Sequence, residues 1–191
     1  MKKLILSVLL IPAVFSAQQT VSRDAEIANY VSQVSADSLK SHINKLVSFG
    51  TRHTMSSTTD AKKGIGAARN WVLSKFKNYA KNTDGRMEVF LQSQTIQPDG
   101  KRINQPTDLG NAIAILRGTD PNDKRIFMIG GHLDSRVSDV MNAKDFAPGA
   151  NDDGSGVGAV IESARILSQS KFPATIIFVA FSGEEQGLLG A

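Results

Sequence analysis

Apolar residues recur along the chain at two spacings, one typical of helices and the other typical of strands. Positions three or four residues apart predict three helices, over about residues 38–49, 65–79 and 156–168. Asp37 is placed to cap the first helix and Gly50 to end it. Short apolar runs predict four strands, over residues 87–91, 112–116, 126–129 and 174–180, the last of them buried on both faces. Because helical and strand patterns alternate, the sequence predicts a layered α/β fold.

The first 17 residues differ in character from the rest of the chain. Two lysines precede an apolar run of about 12 residues, which two small residues follow. This order is typical of a signal peptide, and the run is shorter than the roughly 20 residues that span a bilayer. We therefore expect a signal peptide over residues 1–17, no stable membrane span, and a secreted or periplasmic protein. Residues 18–34 predict a flexible segment, which leaves residues 35–191 for the folded domain.

The composition fits a single domain and limits its chemistry. The chain has 191 residues, 41% of them hydrophobic, which is enough for one apolar core. Its formal net charge of +4 comes from Lys and Arg scattered among acidic residues, so no nucleic-acid partner is expected. Since the chain contains no cysteine, zinc could be bound only by His, Asp or Glu. The chain ends a few residues after its most strand-like segment, an ending that predicts a fragment of a longer domain.

Three short motifs combine histidine or carboxylate residues with small residues, at residues 131–135, 149–156 and 182–187. The first and the third directly follow predicted strands. In an open α/β sheet, the carboxyl ends of the strands form the crevice where ligands bind. We therefore expect a histidine and several carboxylates to meet in that crevice, which is the composition of a hydrolytic metal site.

His132 and Asp134 lie two residues apart at the end of a predicted strand. This spacing puts both side chains on the same face of the strand. A metal-binding imidazole usually donates its second N–H to a carboxylate, so His132 fits a metal ligand and Asp134 fits the group that orients it. The alternative is a surface histidine beside an aspartate in a turn.

Glu184 and Glu185 follow a glycine at the end of the last predicted strand. Two adjacent carboxylates repel each other unless a cation or a proton lies between them. One of them could bind a metal while the other takes a proton from a metal-activated water. A solvated loop is the alternative interpretation of this pair.

Asp152 and Asp153 lie among small residues, where a carboxylate can bridge two zinc ions. Either aspartate could instead cap the helix that begins near Gly156, and one can bind metal while the other caps. Residues 154–159 also match the loose dinucleotide-binding pattern G-x-G-x-x-A. No predicted strand directly precedes this pattern, and two carboxylates would repel a pyrophosphate at the start of the helix, so we reject nucleotide binding.

The chain contains two further histidines. His42 lies between apolar positions of the first predicted helix and is expected to be a partly buried structural residue. His53 follows Arg52 in a polar loop and could approach the crevice. Neither is predicted to bind a metal.

Taken in order, the three motifs resemble the co-catalytic dizinc exopeptidases of metallopeptidase family twenty-eight, which includes secreted bacterial leucyl aminopeptidases. Residues 49–53 and 68–71 are also similar to the N-terminal region of that family, and the resemblance covers roughly residues 35–191. It implies a zinc exopeptidase-like fold, a three-layer αβα arrangement with a central mixed, mostly parallel sheet that is truncated at its C-terminal side in this chain. It also implies two zinc ions per complete domain, and peptide or protein N-termini as the substrate.

The resemblance further implies a role for each candidate residue. His132 binds one zinc, Asp152 bridges both ions, and Glu185 binds the other. Glu184 is the general base and later the acid, and Asp134 orients His132. A cis peptide bond is expected between positions 152 and 153.

Two further ligands of the family, a carboxylate and a histidine, would follow the third motif, and the sequence ends before either. Each zinc would then have two protein ligands where catalytic zinc normally has three, so we expect this chain alone to bind zinc poorly and to hydrolyse little. The sequence thus predicts part of a zinc aminopeptidase. The alternatives are a single-zinc acyltransferase of the glutaminyl-cyclase kind and a non-catalytic binding module, and the choice between amino- and carboxy-exopeptidase stays open.

Overall fold

The computed structural model describes residues 22–190, in which helices and strands alternate over most of the length. The elements of this described part are α1 (Ala25–Ser32), α2 (Ala36–Val47), α3 (Gly64–Ala80), β1 (Met87–Ile96), β2 (Thr107–Leu116), β3 (Ile126–His132), α4 (Gly154–Leu167) and β4 (Thr175–Phe181). The predicted signal peptide, residues 1–17, lies outside the described residues, as does the beginning of the polar segment that follows it. None of the helices described is both long enough and apolar enough to cross a membrane.

The elements predicted from apolar patterns are present, and three of the strands are longer than predicted. The helices α3 and α4 agree closely with the prediction. The strands β1 and β2 continue into polar residues, such as Gln92 opposite Asn111, because the backbone hydrogen bonds of a sheet do not depend on apolar side chains. The extension of β3 bears on the site, since it brings His132 into the strand itself.

The N-terminal part differs from the prediction in two respects. Ser35 rather than Asp37 caps α2, because the Ser35 hydroxyl accepts a hydrogen bond from the amide three residues later, at 3.1 Å. The segment predicted to be flexible contains the helix α1, which Asp24 caps through its carboxylate. Arg165 of α4 donates a hydrogen bond to Gln33 O at 2.7 Å, which ties the end of α1 to the rest of the domain.

The four described strands form one mixed sheet in the order β1-β2-β4-β3. The pairs β1–β2 and β2–β4 are antiparallel, whereas β3 and β4 are parallel. The mixed sheet was predicted, but antiparallel pairings outnumber the parallel one among the described strands, which corrects the expectation of a mostly parallel sheet for this part of the chain. Since β3 and β4 are parallel neighbours, their carboxyl ends lie side by side, with His132 paired to Phe181. The first and third motifs therefore meet at one edge of the sheet.

The apolar core lies between the sheet and the helices α3 and α4. Alternate residues of β4, namely Ile176, Phe178 and Ala180, belong to this core. Phe178 is completely buried, and burial of a side chain of this size contributes about 1.5–3 kcal/mol. The helices α3 and α4 contact each other as well as the sheet, so both lie on the same face. On the opposite face Ile113 and Ile177 are only partly buried, so the described residues contain two of the three predicted layers.

An ion-pair network joins α4 to the start of α2. Arg165 donates hydrogen bonds to both carboxylate oxygens of Glu162, at 2.7 and 2.9 Å. The same carboxylate accepts hydrogen bonds from Ser35 N at 2.9 Å and Ser38 Oγ at 3.0 Å. Arg165 has the largest effect on the pKa of Glu162, and together with the two serines it lowers that pKa from 4.5 to about 2 against the opposing effect of burial. Glu162 is therefore ionised at neutral pH and fixes the start of α2 to α4.

Candidate metal centre

His132 and Asp152 are in direct contact at the carboxyl edge of the sheet. His132 is the last residue of β3, and Asp152 belongs to the loop that precedes α4. The His132 Nε2 and Asp152 Oδ1 atoms are 2.8 Å apart. The His132 side chain is 15% exposed and that of Asp152 is 77% exposed, so the contact faces solvent on the aspartate side. The first and second motifs thus meet at an accessible position.

The peptide bond between Asp152 and Asp153 is cis, as the resemblance implied. The two carboxylates bind different partners. Asp153 caps α4 by accepting a hydrogen bond from Gly156 N at 2.8 Å, and its other oxygen accepts one from His132 N at 3.0 Å. The helix cap is therefore the role of Asp153, whereas the Asp152 carboxylate is turned to the imidazole.

Asp134 is completely buried and joins the first motif to the third. Its carboxylate accepts hydrogen bonds from Glu184 N at 3.2 Å, from Glu185 N at 3.1 Å and from Thr54 Oγ1 at 2.9 Å. The His132 Nδ1 atom is 3.2 Å from the main-chain oxygen of Asp134 and 3.7 Å from its carboxylate. Asp134 therefore contacts the imidazole chiefly through its carbonyl group, while its carboxylate binds the glutamate loop.

The charges around His132 favour the protonated imidazole. Burial, the largest single effect, lowers the pKa of His132, but the hydrogen bond and charge of Asp134, with the charges of Asp153 and Glu184, outweigh it and raise the pKa to about 9. At neutral pH both ring nitrogens then carry a proton, and Nε2 donates to Asp152. A cation that binds between these two side chains would replace the Nε2 proton.

The two glutamates of the third motif point to different partners. Glu184 Oε2 lies 3.9 Å from His132 Nε2, so Glu184 faces the contact between His132 and Asp152. Glu185 Oε2 instead accepts a hydrogen bond from Arg136 Nε at 2.7 Å. Of the five candidate site residues, the structure thus brings His132, Asp152 and Glu184 together and places Asp134 in contact with His132, whereas Glu185 is paired with an arginine. No motif or periodicity indicated Arg136, because it lies in an irregular loop whose position depends on tertiary contacts.

The other two histidines are buried and have partners outside this contact. His42 lies in α2, with its ring centre 5.8 Å from that of Trp71, and burial lowers its pKa, which agrees with the predicted structural role. His53 is completely buried, and burial lowers its pKa as well. Its nearest partner in the third motif is Gln186, at 2.7 Å.

The donor types at this edge of the sheet fit zinc, which binds imidazole nitrogen and carboxylate oxygen. His132 and Asp152 converge, and Glu184 lies beside them. Within residues 22–190, no group of three or more His, Cys, Asp or Glu side chains is arranged to hold a metal ion. The described part of the chain therefore offers a pair of converging ligands rather than a complete set.

Residues 111–191, which contain all three motifs, match the model of peptidase family M28. The chain is 46% identical over 168 residues to a protein of Leptosphaeria maculans named a probable zinc metalloprotease, and 48% identical over 169 residues to one of the same name from Pyrenophora teres f. teres. Each alignment covers 88% of this chain, but only 38% and 36% of the respective relatives. The chain thus spans well under half the length of these relatives.

Solved structures with the same fold include an aminopeptidase and a glutaminyl cyclase. The LapA aminopeptidase of Legionella pneumophila is similar over 100% of this chain and 45% of its own, with a TM-score of 0.65 and 22% identity. The glutaminyl cyclase of Porphyromonas gingivalis is similar over 82% of this chain and 50% of its own, with a TM-score of 0.58 and 25% identity. These likenesses confirm the predicted α/β zinc exopeptidase-like fold. The family-model match and the zinc metalloprotease relatives show that residues 111–191, which carry all three motifs, belong to peptidase family M28.

Proposed function

We propose that this chain is the metal-binding part of a zinc-dependent aminopeptidase. The observation that carries the proposal is the 2.8 Å contact between His132 Nε2 and Asp152 Oδ1, with Glu184 Oε2 3.9 Å from the same nitrogen. An imidazole ligand, an exposed carboxylate ligand and a neighbouring carboxylate base are the groups that a metal-dependent hydrolase needs. The relatives named probable zinc metalloproteases, and the aminopeptidase with the same fold, support this choice.

The proposed ligands divide between two zinc ions. His132 would hold one ion, and Asp152, whose side chain is 77% exposed, would bridge to the second. Glu185 would bind the second zinc ion once its ion pair with Arg136 is broken. Bound zinc supplies Lewis-acid activation of a water molecule and of the scissile carbonyl. The ligands that complete both sites are expected in the part of the relatives' length that has no counterpart here.

Glu184 is the proposed general base and acid. Its side chain is 35% exposed and faces His132, so water reaches its carboxylate. Glu184 takes a proton from the attacking water as the water oxygen bonds to the carbonyl carbon. It then gives that proton to the leaving nitrogen as the C–N bond breaks, which restores the carboxylate. Asp134 exchanges no proton, and it holds the Glu184 amide and the imidazole in place.

The proposed substrates are the N-termini of peptides or proteins outside the cytoplasm. The LapA aminopeptidase with the same fold is the basis for proposing an aminopeptidase rather than a carboxypeptidase. The predicted signal peptide is the basis for proposing export.

The full-length protein tests the proposal. Release of p-nitroaniline from leucine p-nitroanilide should stop after chelation and return when zinc is added, with two zinc ions bound per chain. Glu184→Gln should lower kcat by about 10²- to 10⁴-fold, because the general base is lost. The matched control is Glu88→Gln, a side chain that is 58% exposed on β1 and should leave kcat unchanged. Wild-type activity in Glu184→Gln, or in zinc-free protein, would reject the proposal.

A glutaminyl-cyclase-like acyltransferase is the second candidate, and the likeness to the Porphyromonas gingivalis enzyme favours it. In that reaction the α-amino nitrogen of an N-terminal glutamine attacks the side-chain carbonyl and ammonia leaves, so Glu184 would carry a proton from one nitrogen to the other. One zinc per chain, with cyclisation of a glutaminyl peptide and no release of leucine, would favour this candidate. Absence of both activities from zinc-loaded protein would favour the non-catalytic module.

A further inference from the structure

Three consecutive polar residues, Arg52, His53 and Thr54, are buried in the segment that joins α2 to α3. Their exposed fractions are 1%, 0% and 2%. Burial of a polar or charged side chain costs free energy unless its hydrogen bonds are satisfied. Each of these side chains finds partners in the metal centre, although the segment precedes the residues that match the family model, 111–191.

Arg52 connects the end of β3 with the loop that carries Asp152. Its guanidinium donates hydrogen bonds to four main-chain oxygens, those of Leu133 at 2.7 Å, Pro148 at 2.8 Å, Gly149 at 2.9 Å and Leu46 at 3.2 Å. Leu133 lies between the two site residues of the first motif, and Pro148 and Gly149 precede Asp152. Burial lowers the pKa of Arg52 to about 10, against the charges of Asp134 and Asp153, so the side chain stays cationic at neutral pH. A planar fork of donors thus fixes two backbone segments relative to each other.

Thr54 connects the segment with the first and third motifs. Its hydroxyl donates a hydrogen bond to Asp134 Oδ2 at 2.9 Å. That same oxygen accepts the hydrogen bond from Glu185 N, and the other oxygen accepts the one from Glu184 N. Thr54 therefore fixes the carboxylate on which the position of both glutamates depends.

His53 contacts the third motif through Gln186. The His53 Nδ1 atom accepts a hydrogen bond from Met55 N at 3.1 Å, so in the neutral ring Nε2 carries the proton. The His53 Nε2 atom lies 3.1 Å from Val140 O, to which it donates, and 2.7 Å from Gln186 Nε2, which donates to the same main-chain oxygen at 3.1 Å. His53 and Gln186 of the third motif therefore meet at one shared acceptor.

From these contacts we propose that residues 52–54 form a positioning element for the metal centre. Arg52 joins the first motif to the second, and Thr54 joins the first to the third. His53 contacts Gln186 of the third motif, with which it shares the acceptor Val140 O. None of the three is proposed to touch metal or substrate. They hold the ligand-bearing backbone segments at fixed separations before a cation binds, which strengthens metal binding. The expected effect on metal binding rests on the proposed function. The hydrogen bonds of residues 52–54 do not require a metal and can be tested in metal-free protein.

The first experiment uses metal-free full-length protein and the variant Thr54→Val, which keeps the side-chain shape and removes the hydroxyl. We expect the amide protons of Glu184 and Glu185 to shift in NMR spectra and to exchange with solvent about tenfold faster, because their acceptor carboxylate loses a donor that holds it. The matched control is Thr107→Val, a threonine that is 4% exposed and donates to Gln105 O at 2.8 Å, away from the centre. Unchanged exchange of both glutamate amides in Thr54→Val would overturn the proposal.

The second experiment measures zinc affinity by calorimetry. Arg52→Lys keeps the positive charge but removes the planar guanidinium that bonds both backbone segments. The variant should therefore bind zinc about 10- to 100-fold more weakly. Arg69→Lys is the control, since Arg69 is 3% exposed and its guanidinium contacts Asp108 instead of a motif. Wild-type zinc affinity in a folded Arg52→Lys would also count against the element. A wild-type protein that binds no zinc would reject the proposed function, and the amide exchange in Thr54→Val would still decide the positioning role.

Discussion

The backbone amide of Glu184 donates a hydrogen bond of 3.2 Å to the buried carboxylate of Asp134, across 50 positions of sequence. The next amide, that of Glu185, binds the other carboxylate oxygen at 3.1 Å. Parallel pairing of β3 with β4 brings the two loops side by side, and Asp134 then fixes the position of the glutamate loop. The carboxylate of Asp134 thus determines where the proposed base lies, while the main-chain oxygen of the same residue contacts the imidazole.

Asp134→Asn should lower both stability and zinc affinity. Asparagine has a similar size, but its NH₂ group must face at least one of the donors that now bind the carboxylate, which leaves buried polar groups unpaired at a cost of about 1–3 kcal/mol. Urea denaturation should show this loss, and zinc titration should show about 10- to 100-fold weaker binding. Asp108→Asn is the control, because that side chain is 49% exposed. Wild-type stability in Asp134→Asn would contradict the role assigned to the buried carboxylate.

Arg136→Gln tests whether the guanidinium competes with a cation for Glu185. The side chains of Arg136 and Glu185 are 30% and 16% exposed, and a partly exposed ion pair contributes at most about 1 kcal/mol. Its removal should therefore raise zinc affinity by up to about fivefold in calorimetry of the full-length protein. The surface pair of Arg117 with Glu88 supplies the control Arg117→Gln, which should leave the affinity unchanged. Weaker binding in Arg136→Gln would show that the arginine supports Glu185 as a ligand.

Glu162→Gln should remove a pH-dependent part of the stability. The folded-state pKa of Glu162 is depressed from 4.5 to about 2, so its contribution is complete above about pH 4.5 and is lost as the pH falls towards 2. The hydrogen bonds to the charged group make the wild type more stable than the variant by about 1.5–3 kcal/mol at pH 7. Denaturation series from pH 2 to 7 should show the two curves converging at the acid end. A constant difference across that range would refute the assignment.

Gly131→Ala and Gly158→Ala should have opposite effects. A Cβ at Gly131 would lie 2.8 Å from Gly156 C and 2.9 Å from Val157 N, which are backbone atoms of the first turn of α4 and cannot easily move. This overpacking should destabilise the fold by about 1–3 kcal/mol. A Cβ at Gly158 would meet only ordinary contacts, the nearest 3.6 Å away at Ile43, so alanine there should stabilise α4 by about 0.5–1 kcal/mol. Thermal denaturation compares the two variants directly, and a stabilising Gly131→Ala would show that β3 and α4 are not close.

The elements of the fold were predictable where their signal is local. Helical and strand periodicities are set by residues a few positions apart, so α3, α4 and the apolar parts of all four strands were found from the sequence. The polar parts of β1 and β2 were not found, because few apolar residues mark them and their structure comes from backbone pairing with each other. The helix α1 was missed although Ile27 and Val31 are at helical spacing behind the cap Asp24, and the bond between Arg165 and Gln33 O ties it to the domain.

The sequence by itself determined which residues could form the site, because their types and their places after strands are local features. Only the tertiary structure decided which partner each one takes: Asp152 contacts His132, Asp153 caps α4, and Glu185 turns to Arg136. It also decided that residues 52–54 contact all three motifs. A hydrogen bond requires donor and acceptor to approach within about 3 Å, whatever their separation along the chain. That approach depends on how the sheet and helices place the loops, which no local pattern of residues records.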